Sequence, residues 1–127
     1  MTTPSDISIA IYGTLKGVIS TNVFDTYAPS SIDPIITELV VYKVGSIRPL
    51  YDFDKGSAIR SYIIITCLAR NKANGIVNTA KLKAMTDSVY NLYNQSTPYR
   101  MSLSSIEVSS VNLKDFTGQS IIYNIIN

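Results

Sequence analysis

The segment AIRSYIIITCLAR, residues 58–70, restricts the fold of this chain more than any other, because both of its faces are apolar. Strand alternation places five apolar side chains on one face: Ile59, Ile63, Ile65, Cys67 and Ala69. The opposite face carries Ile64 and Leu68 among polar residues and is too apolar at its middle to lie in water. The sequence therefore predicts a long strand that is covered by a helix on one face and by a neighbouring element on the other.

Two other segments have helical periodicity. In residues 5–20, Ile7, Ile11 and Leu15 recur at helical spacing, and we interpret this segment as a helix. The isoleucines at its start also alternate as in a strand, so a strand stays open as the alternative. Residues 76–95 predict a second helix, whose apolar stripe consists of Val77, Ala80, Ala84, Met85, Val89, Leu92 and Tyr93.

The remaining segments complete an α+β pattern. β-Forming residues predict strands over 35–47 and 118–127, and a charged, aromatic loop over 48–57 precedes the long strand. Residues 99–111 are extended, with a change of phase, and a bulge near Ser104–Ser105 would restore one buried face. With a short extended piece after the first helix, the order is α-β-β-α-β-β. We expect one domain spanning all 127 residues, with a mixed, mostly antiparallel sheet packed by two helices.

The composition excludes most catalytic chemistry. The chain has no His and one Cys, which excludes imidazole triads, thiolate zinc clusters and an intramolecular disulfide. Lys plus Arg is 11 and Asp plus Glu is 9, and the net charge of +2 is too small to favour nucleic acid. We therefore expect no enzyme activity, no cofactor, no metal and no specific nucleic-acid binding. An enzyme that uses only Asp and Lys is the least favoured alternative.

Basic residues are concentrated at one place, formed by Arg70, Lys72, Lys81 and Lys83. No aromatic residues are interleaved with them, and Asp87 follows Lys83 by one helical turn. A solvated helix face is therefore favoured over a nucleic-acid site.

The surface chemistry of the chain points to an assembly. Charged residues make up 16% of the chain and hydrophobic residues 46%, whereas soluble domains have roughly 25% charged residues. The chain also has nine Tyr residues, a residue type enriched in protein contact surfaces. We expect part of this surface to be buried between subunits.

Targeting signals are not found in the sequence. The N-terminal residues lack a basic region followed by an apolar stretch, and the apolar runs are too short to span a membrane. We expect a cytoplasm-like compartment and no membrane contact.

The element order resembles that of the tail terminator and tail completion proteins of tailed bacteriophages. The resemblance lies first in the helix that leads to VFDTY at 23–27 and the proline-marked turn at 28–34. It continues in the strand pair 35–47 and 58–70, the helix NTAKLKAMTDSVYNLYNQ at 78–95 and two closing strands.

This resemblance implies a structural virion protein that forms a homo-oligomeric ring at the tail or the head–tail neck. Its partners would be other phage neck, portal or tail proteins, and it would have no catalytic residues. It would occupy the host cytoplasm during assembly and the virion afterwards, and DNA could pass through the ring lumen. Whether the ring has six or twelve subunits, and whether the four basic residues face the lumen, stays open. The alternative is a small soluble α+β binding or regulatory module without catalytic activity.

Two segments are candidate contact sites in such a ring. The first is the loop at 48–57, which combines both signs of charge with aromatic side chains: Arg48, Tyr51, Asp52, Phe53, Asp54 and Lys55. We expect it to contact a neighbouring ring, with the aromatic residues as anchors and the charges setting register. The alternative is a solvated hairpin loop.

The second candidate is the C-terminal strand, which is apolar on both faces. Ile122, Tyr123 and Ile125 lie near the end of the chain, and an uncovered edge with such residues invites another strand. We expect this strand to join a neighbouring subunit by strand addition. The alternative is a central strand of the subunit's own sheet.

Overall fold

The computed structural model describes residues 3–17, 19–30, 32–49, 59–95, 99–109, 111 and 113–126. The elements in chain order are α1 (Pro4–Leu15), β1 (Val23–Asp25), β2 (Glu38–Val44), β3 (Arg48–Pro49), β4 (Ile59–Arg70), α2 (Thr79–Gln95), β5 (Arg100–Val108) and β6 (Phe116–Ile126). The predicted α+β class and the predicted order of the main elements are confirmed. The short extended piece after the first helix is β1.

The sheet has the strand order β1-β2-β4-β6-β5, and β3 adds to the edge of β4 beyond β2. β1 pairs with β2 in parallel, and the other pairings are antiparallel. The longest ladder joins β4 and β6 from Arg60↔Ile126 to Arg70↔Phe116. The sheet is therefore mixed and mostly antiparallel, as the sequence predicts.

Both helices pack on the same face of the sheet. α1 contributes Ile7, Ile11 and Leu15 to the core, and α2 contributes Met85, Val89 and Tyr93, all of them buried. They meet a layer of buried strand residues: Val40, Tyr42, Ile63, Ile65, Cys67, Ala69, Ile121, Tyr123 and Ile125. This layer contains the predicted apolar face of the long strand from Ile63 onwards.

The other face of the sheet, which we call the outer face, has a smaller core at one end. Leu39, Val41, Leu68 and Phe116 are buried there under Phe24 of β1 and under residues of two connecting segments, which include Ala28, Ile32, Val111 and Leu113. The long strand β4 is thus covered on both faces at this end, by helices on one side and by connections on the other.

The first helix is shorter than predicted, because its C-terminal end turns sharply. Thr3 caps the N-terminus in a reciprocal box with Asp6, which satisfies two backbone donors. The helix ends at Leu15, and Gly17 follows with a φ of 81° that glycine adopts at little cost. Lys16 then pairs with Ser20, so the predicted extension of the helix to residue 20 is wrong.

The second helix also differs at its start. It begins at Thr79 instead of residue 76, and the Asn78 side chain accepts a hydrogen bond from the Lys81 amide at 3.3 Å. Val77, Ala80 and Ala84 are exposed, so the N-terminal half of the predicted stripe does not face the core. Among the described residues, no helix is long and apolar enough to cross a membrane.

Candidate assembly surfaces

Strand β5 forms one edge of the sheet, since β6 is the one described strand that pairs with it. A register shift between Leu103 and Ser105 confirms the predicted bulge. The bulge brings the apolar residues of both halves of the strand to the face on which the helices lie: Met101, Leu103, Ile106 and Val108.

Most of this apolar face is not buried. Leu103 is 42% exposed, Ile106 45% and Val108 89%, whereas Met101 packs partly against the core. The helix α2 packs on β4 and β6 and leaves most of the helix-facing side of β5 uncovered. The expected buried face of this strand is therefore wrong beyond Met101. We call Leu103, Ile106 and Val108 the β5 row.

A groove of about 380 Å³ lies between Ile106 of the β5 row and α2. Its walls include Leu82 and Ile106, and its floor includes Gln119. The Thr86 hydroxyl donates to the Leu82 carbonyl and lies 2.9 Å from the Gln119 side-chain oxygen, which ties the helix to β6. The groove therefore combines the apolar Leu82 and Ile106 with polar side chains of α2, and it lies next to an unpaired strand edge.

The opposite edge of the sheet also exposes an apolar side chain. β1 pairs with β2 alone among the described strands, and α1 lies beside it. Ile9 is 73% exposed and lines a depression of about 320 Å³ with Pro4, Ser8, Asp25 and Val44. The Ser8 hydroxyl donates to Asp25 at 2.7 Å and so fixes α1 against β1. We call this surface the α1 edge.

A larger cavity, of about 550 Å³, opens on the outer face. Val41, Ile64 and Thr66 form part of its lining, and Lys43 and Lys114 are exposed at its rim. Thr26 and Tyr27 form one wall, and Tyr27 is 80% exposed. We call it the outer-face cavity.

The predicted contact loop at 48–57 is described at its first two residues. Arg48 is exposed, and β3 places it opposite Arg60 of β4. The other residues that we expect to make contacts lie outside the described residues: Tyr51, Asp52, Phe53, Asp54 and Lys55.

The edge position that we predicted for the C-terminal strand is wrong. β6 lies between β4 and β5, so it is not an edge. Tyr123 is 4% exposed and Ile125 is fully buried, because both face the helices, while Ile122 is half-buried on the outer face. The apolar residues on both faces of β6 serve the subunit's own sheet, and the edge position belongs to β5.

The basic residues do not form one free cluster. The Arg70 Nε donates to the Ile36 carbonyl at 2.8 Å, and its guanidinium lies over the Phe116 ring at 4.6 Å. Lys81 is 3.5 Å from Glu38, and Lys83 is 2.7 Å from Asp87. Lys72 is exposed.

The single thiol lacks the features of a nucleophile. Cys67 is fully buried, and burial raises the pKa of its thiol to about 12. Within the described ranges, no group of three His, Cys, Asp or Glu side chains could hold a metal ion.

Sequence reasoning missed the β5 row as a surface, although its residues alternate correctly once the bulge is included. The sequence signal for an edge position was the polar outer face of the same strand, which carries Ser102, Ser105 and Glu107, as is common for an edge.

No protein-family model matches the chain, and no curated protein matches it.

Proposed function

We propose that this protein is a structural subunit of a tailed-bacteriophage virion and that it forms a homo-oligomeric ring at the tail end or the head–tail neck. The observation that carries the proposal is that apolar side chains are exposed at opposite edges of one sheet, in the β5 row and at Ile9 of the α1 edge. The order of helices and strands, which resembles that of tail terminator and completion proteins, supports the same assignment.

Two unlike surfaces at opposite edges favour head-to-tail assembly. Each copy presents the β5 row to its neighbour on one side and the α1 edge to its neighbour on the other. Repeating such a contact by a fixed rotation produces a ring when the rotation closes. A contact of the β5 row with itself would instead produce a closed pair.

The β5 row also explains why burial in an assembly is favourable. A strand edge offers unpaired backbone donors and acceptors, and apolar side chains on it invite association with another chain. Ile106 lines the groove beneath α2, and Leu103 and Val108 are exposed on the same face of the strand, so a neighbour could bury all three together with the strand edge.

A ring protein of this kind needs no catalytic group. Its partners would be other neck, portal or tail proteins, and DNA would pass through the lumen without specific contacts. The protein would be found in the host cytoplasm before assembly and in the virion afterwards.

Complementary variants test the head-to-tail contact. One variant, Leu103→Thr/Ile106→Thr/Val108→Thr, removes the β5 row and keeps β-forming residues in the strand. The other, Ile9→Ser, alters the α1 edge. Each variant alone should form no ring in native mass spectrometry, because each lacks one of the two surfaces of the head-to-tail contact. Mixed together they should form the head-to-tail pair of one copy of each variant and no ring, because one intact surface of each kind remains.

The matched control is Ile35→Thr, which removes another exposed apolar side chain, 82% exposed, away from both surfaces. It should assemble like the unmodified protein, which should form rings with a central hole in electron micrographs. The protein should also be present in virions from the source that encodes it, by mass spectrometry. A concentrated monomer that is absent from virions would contradict the proposal.

A small binding module is the second candidate, and the outer-face cavity is the observation that favours it. This function requires a monomer that binds a ligand in the cavity. Native mass spectrometry of the unmodified protein separates the two candidates.

A further inference from the structure

The outer-face cavity has a chemistry that neither sheet edge shares. Its lining combines aliphatic side chains, Val41, Ile64, Val111 and Leu113, with two lysines at the rim. No described residue forms an ion pair with Lys43 or Lys114. A ligand that fits this lining has apolar or aromatic groups for the floor and carboxylates for the rim.

The wall of the cavity holds an aromatic residue in a strained turn. Thr26 has a φ of 68°, which is unfavourable for a β-branched residue. Its amide donates to the Tyr42 carbonyl at 2.7 Å, and its hydroxyl donates to Asp25. These bonds hold Tyr27 at the cavity wall with most of its ring in solvent.

This chain carries a segment with the complementary chemistry, Tyr51-Asp52-Phe53-Asp54, which has two aromatic rings and two carboxylates in four residues. We propose that the outer-face cavity of one copy binds residues 51–54 of a second copy. The aromatic rings pack on the apolar floor and beside Tyr27, and the carboxylates pair with Lys43 and Lys114.

Covalent reach places the occupant in another copy. Pro49 is opposite Ile59, and β3 is antiparallel to β4, so the chain leaves Pro49 in the direction away from Ile64. Ile64 lies five residues along β4 from Ile59, a distance of about 16 Å. Four fully extended residues after Pro49 span at most about 14 Å. Phe53 could approach its own cavity only with the four residues after Pro49 fully extended, which leaves no length for the reversal of direction.

This contact is distinct from the head-to-tail contact and does not depend on a ring. It joins the outer face of one copy to the segment that follows β3 in another. It therefore gives the assembly a second, independent connection between copies.

Disulfide trapping tests the contact in the full-length protein. The native Cys67 is buried and does not interfere. One preparation carries Tyr27→Cys and the other carries Phe53→Cys with an affinity tag. After mixing and mild oxidation, the mixed dimer should form in at least about tenfold higher yield than with the control Ala84→Cys, which is exposed on α2 and lies on the opposite side of the sheet.

Charge reversal tests the pairing. Lys43→Glu/Lys114→Glu in the cavity copy should reduce the trapped dimer about tenfold, and Asp52→Lys/Asp54→Lys in the tagged copy should restore it. Equal yields with the Ala84→Cys control would overturn the proposal. So would trapping within a single chain of the Tyr27→Cys/Phe53→Cys double variant at high dilution. A trapped yield that none of the four charge substitutions changes would overturn it as well.

The result is separable from that of the proposed function. The trapped dimer should persist when the β5 row is replaced by threonines, even though that variant forms no ring. Loss of rings with retained trapping supports both contacts, and rings without trapping overturn the cavity contact alone.

Discussion

At the scale of single residues, two core tyrosines pack against each other with different hydroxyl environments. The rings of Tyr93 and Tyr123 meet edge to face with centroids 5.5 Å apart. The Tyr93 hydroxyl is 2.7 Å from the Thr14 hydroxyl and so links α2 to α1. The Tyr123 hydroxyl is buried without a hydrogen-bond partner among the described residues. Burying such a group costs about 1–3 kcal/mol.

Replacing each tyrosine by phenylalanine should therefore have opposite results. Tyr93→Phe removes a hydrogen bond and should lower the free energy of unfolding by about 1 kcal/mol. Tyr123→Phe removes the uncompensated hydroxyl and should leave this free energy unchanged or raise it by about 1 kcal/mol. Urea unfolding of the two variants provides the comparison. A loss for Tyr123→Phe as large as that for Tyr93→Phe would show that the Tyr123 hydroxyl has a partner.

The same variants have a readout in alkaline solution. Burial raises the pKa of Tyr93 and of Tyr123 from 10.0 to about 12. Between these values the unfolded chain releases the phenol protons and the folded chain keeps them, so stability falls as the pH rises, by up to about 1.4 kcal/mol per pH unit for each tyrosine. Either substitution should make this decline less steep.

At the scale of elements, the uncovered β5 row follows from the widths of the two layers. Two helices of about 10 Å each cover about 20 Å, whereas five strands spaced about 4.8 Å apart extend over roughly 24 Å. One edge strand must therefore remain outside the helix layer. α1 packs near β1 and β2 and α2 packs on β4 and β6, so that strand is β5.

Two glycines in different elements should respond oppositely to the same substitution. A Cβ at Gly118 of β6 would lie 2.6 Å from Leu68 and 2.8 Å from Ser109, and Leu68 is fully buried. Gly118→Ala should therefore destabilise the protein by about 1–3 kcal/mol. A Cβ at Gly13 of α1 would meet nothing within 4 Å, so Gly13→Ala should stabilise the protein by up to about 1 kcal/mol.

Thermal or urea unfolding of the two variants measures the difference. If Gly118→Ala were neutral, β6 would not approach Leu68 and the Ser109 segment as closely as the structure has it. If Gly13→Ala were destabilising, the exposed side of α1 would have to be covered by another chain.

At the scale of the whole molecule, local sequence patterns predicted the elements better than their order in the sheet. The helical spacing of Ile7, Ile11 and Leu15 and the alternation in β4 depend on neighbouring residues, so both could be found from the sequence. The edge position could not, because it depends on pairing between distant segments. β6 shares with β4 an apolar pattern on both faces, and the two strands pair in the middle of the sheet.

The same limit applied to the assembly surfaces. The bulge was predictable because it restores one apolar face. The exposure of that face was not, because it depends on which strands α2 packs against. The cavity lining was not predictable, since it joins residues far apart in the chain, such as Lys43 and Lys114.

The number of subunits in the proposed ring should be measurable by mixing the protein with a variant subunit that cannot close the ring. A subunit with the threonine-substituted β5 row retains its α1 edge, so it can join a chain of copies but cannot close it. If a tenth of the subunits carry this variant, the fraction of intact rings should fall to about one half for six subunits and to about one quarter for twelve. Native mass spectrometry over a series of mixing ratios gives the number directly. The Ile35→Thr control should leave the intact fraction unchanged at every ratio. If the intact fraction instead falls in proportion to the share of the variant, so that one half remains at equal mixing, the assembly is not a closed ring of many copies.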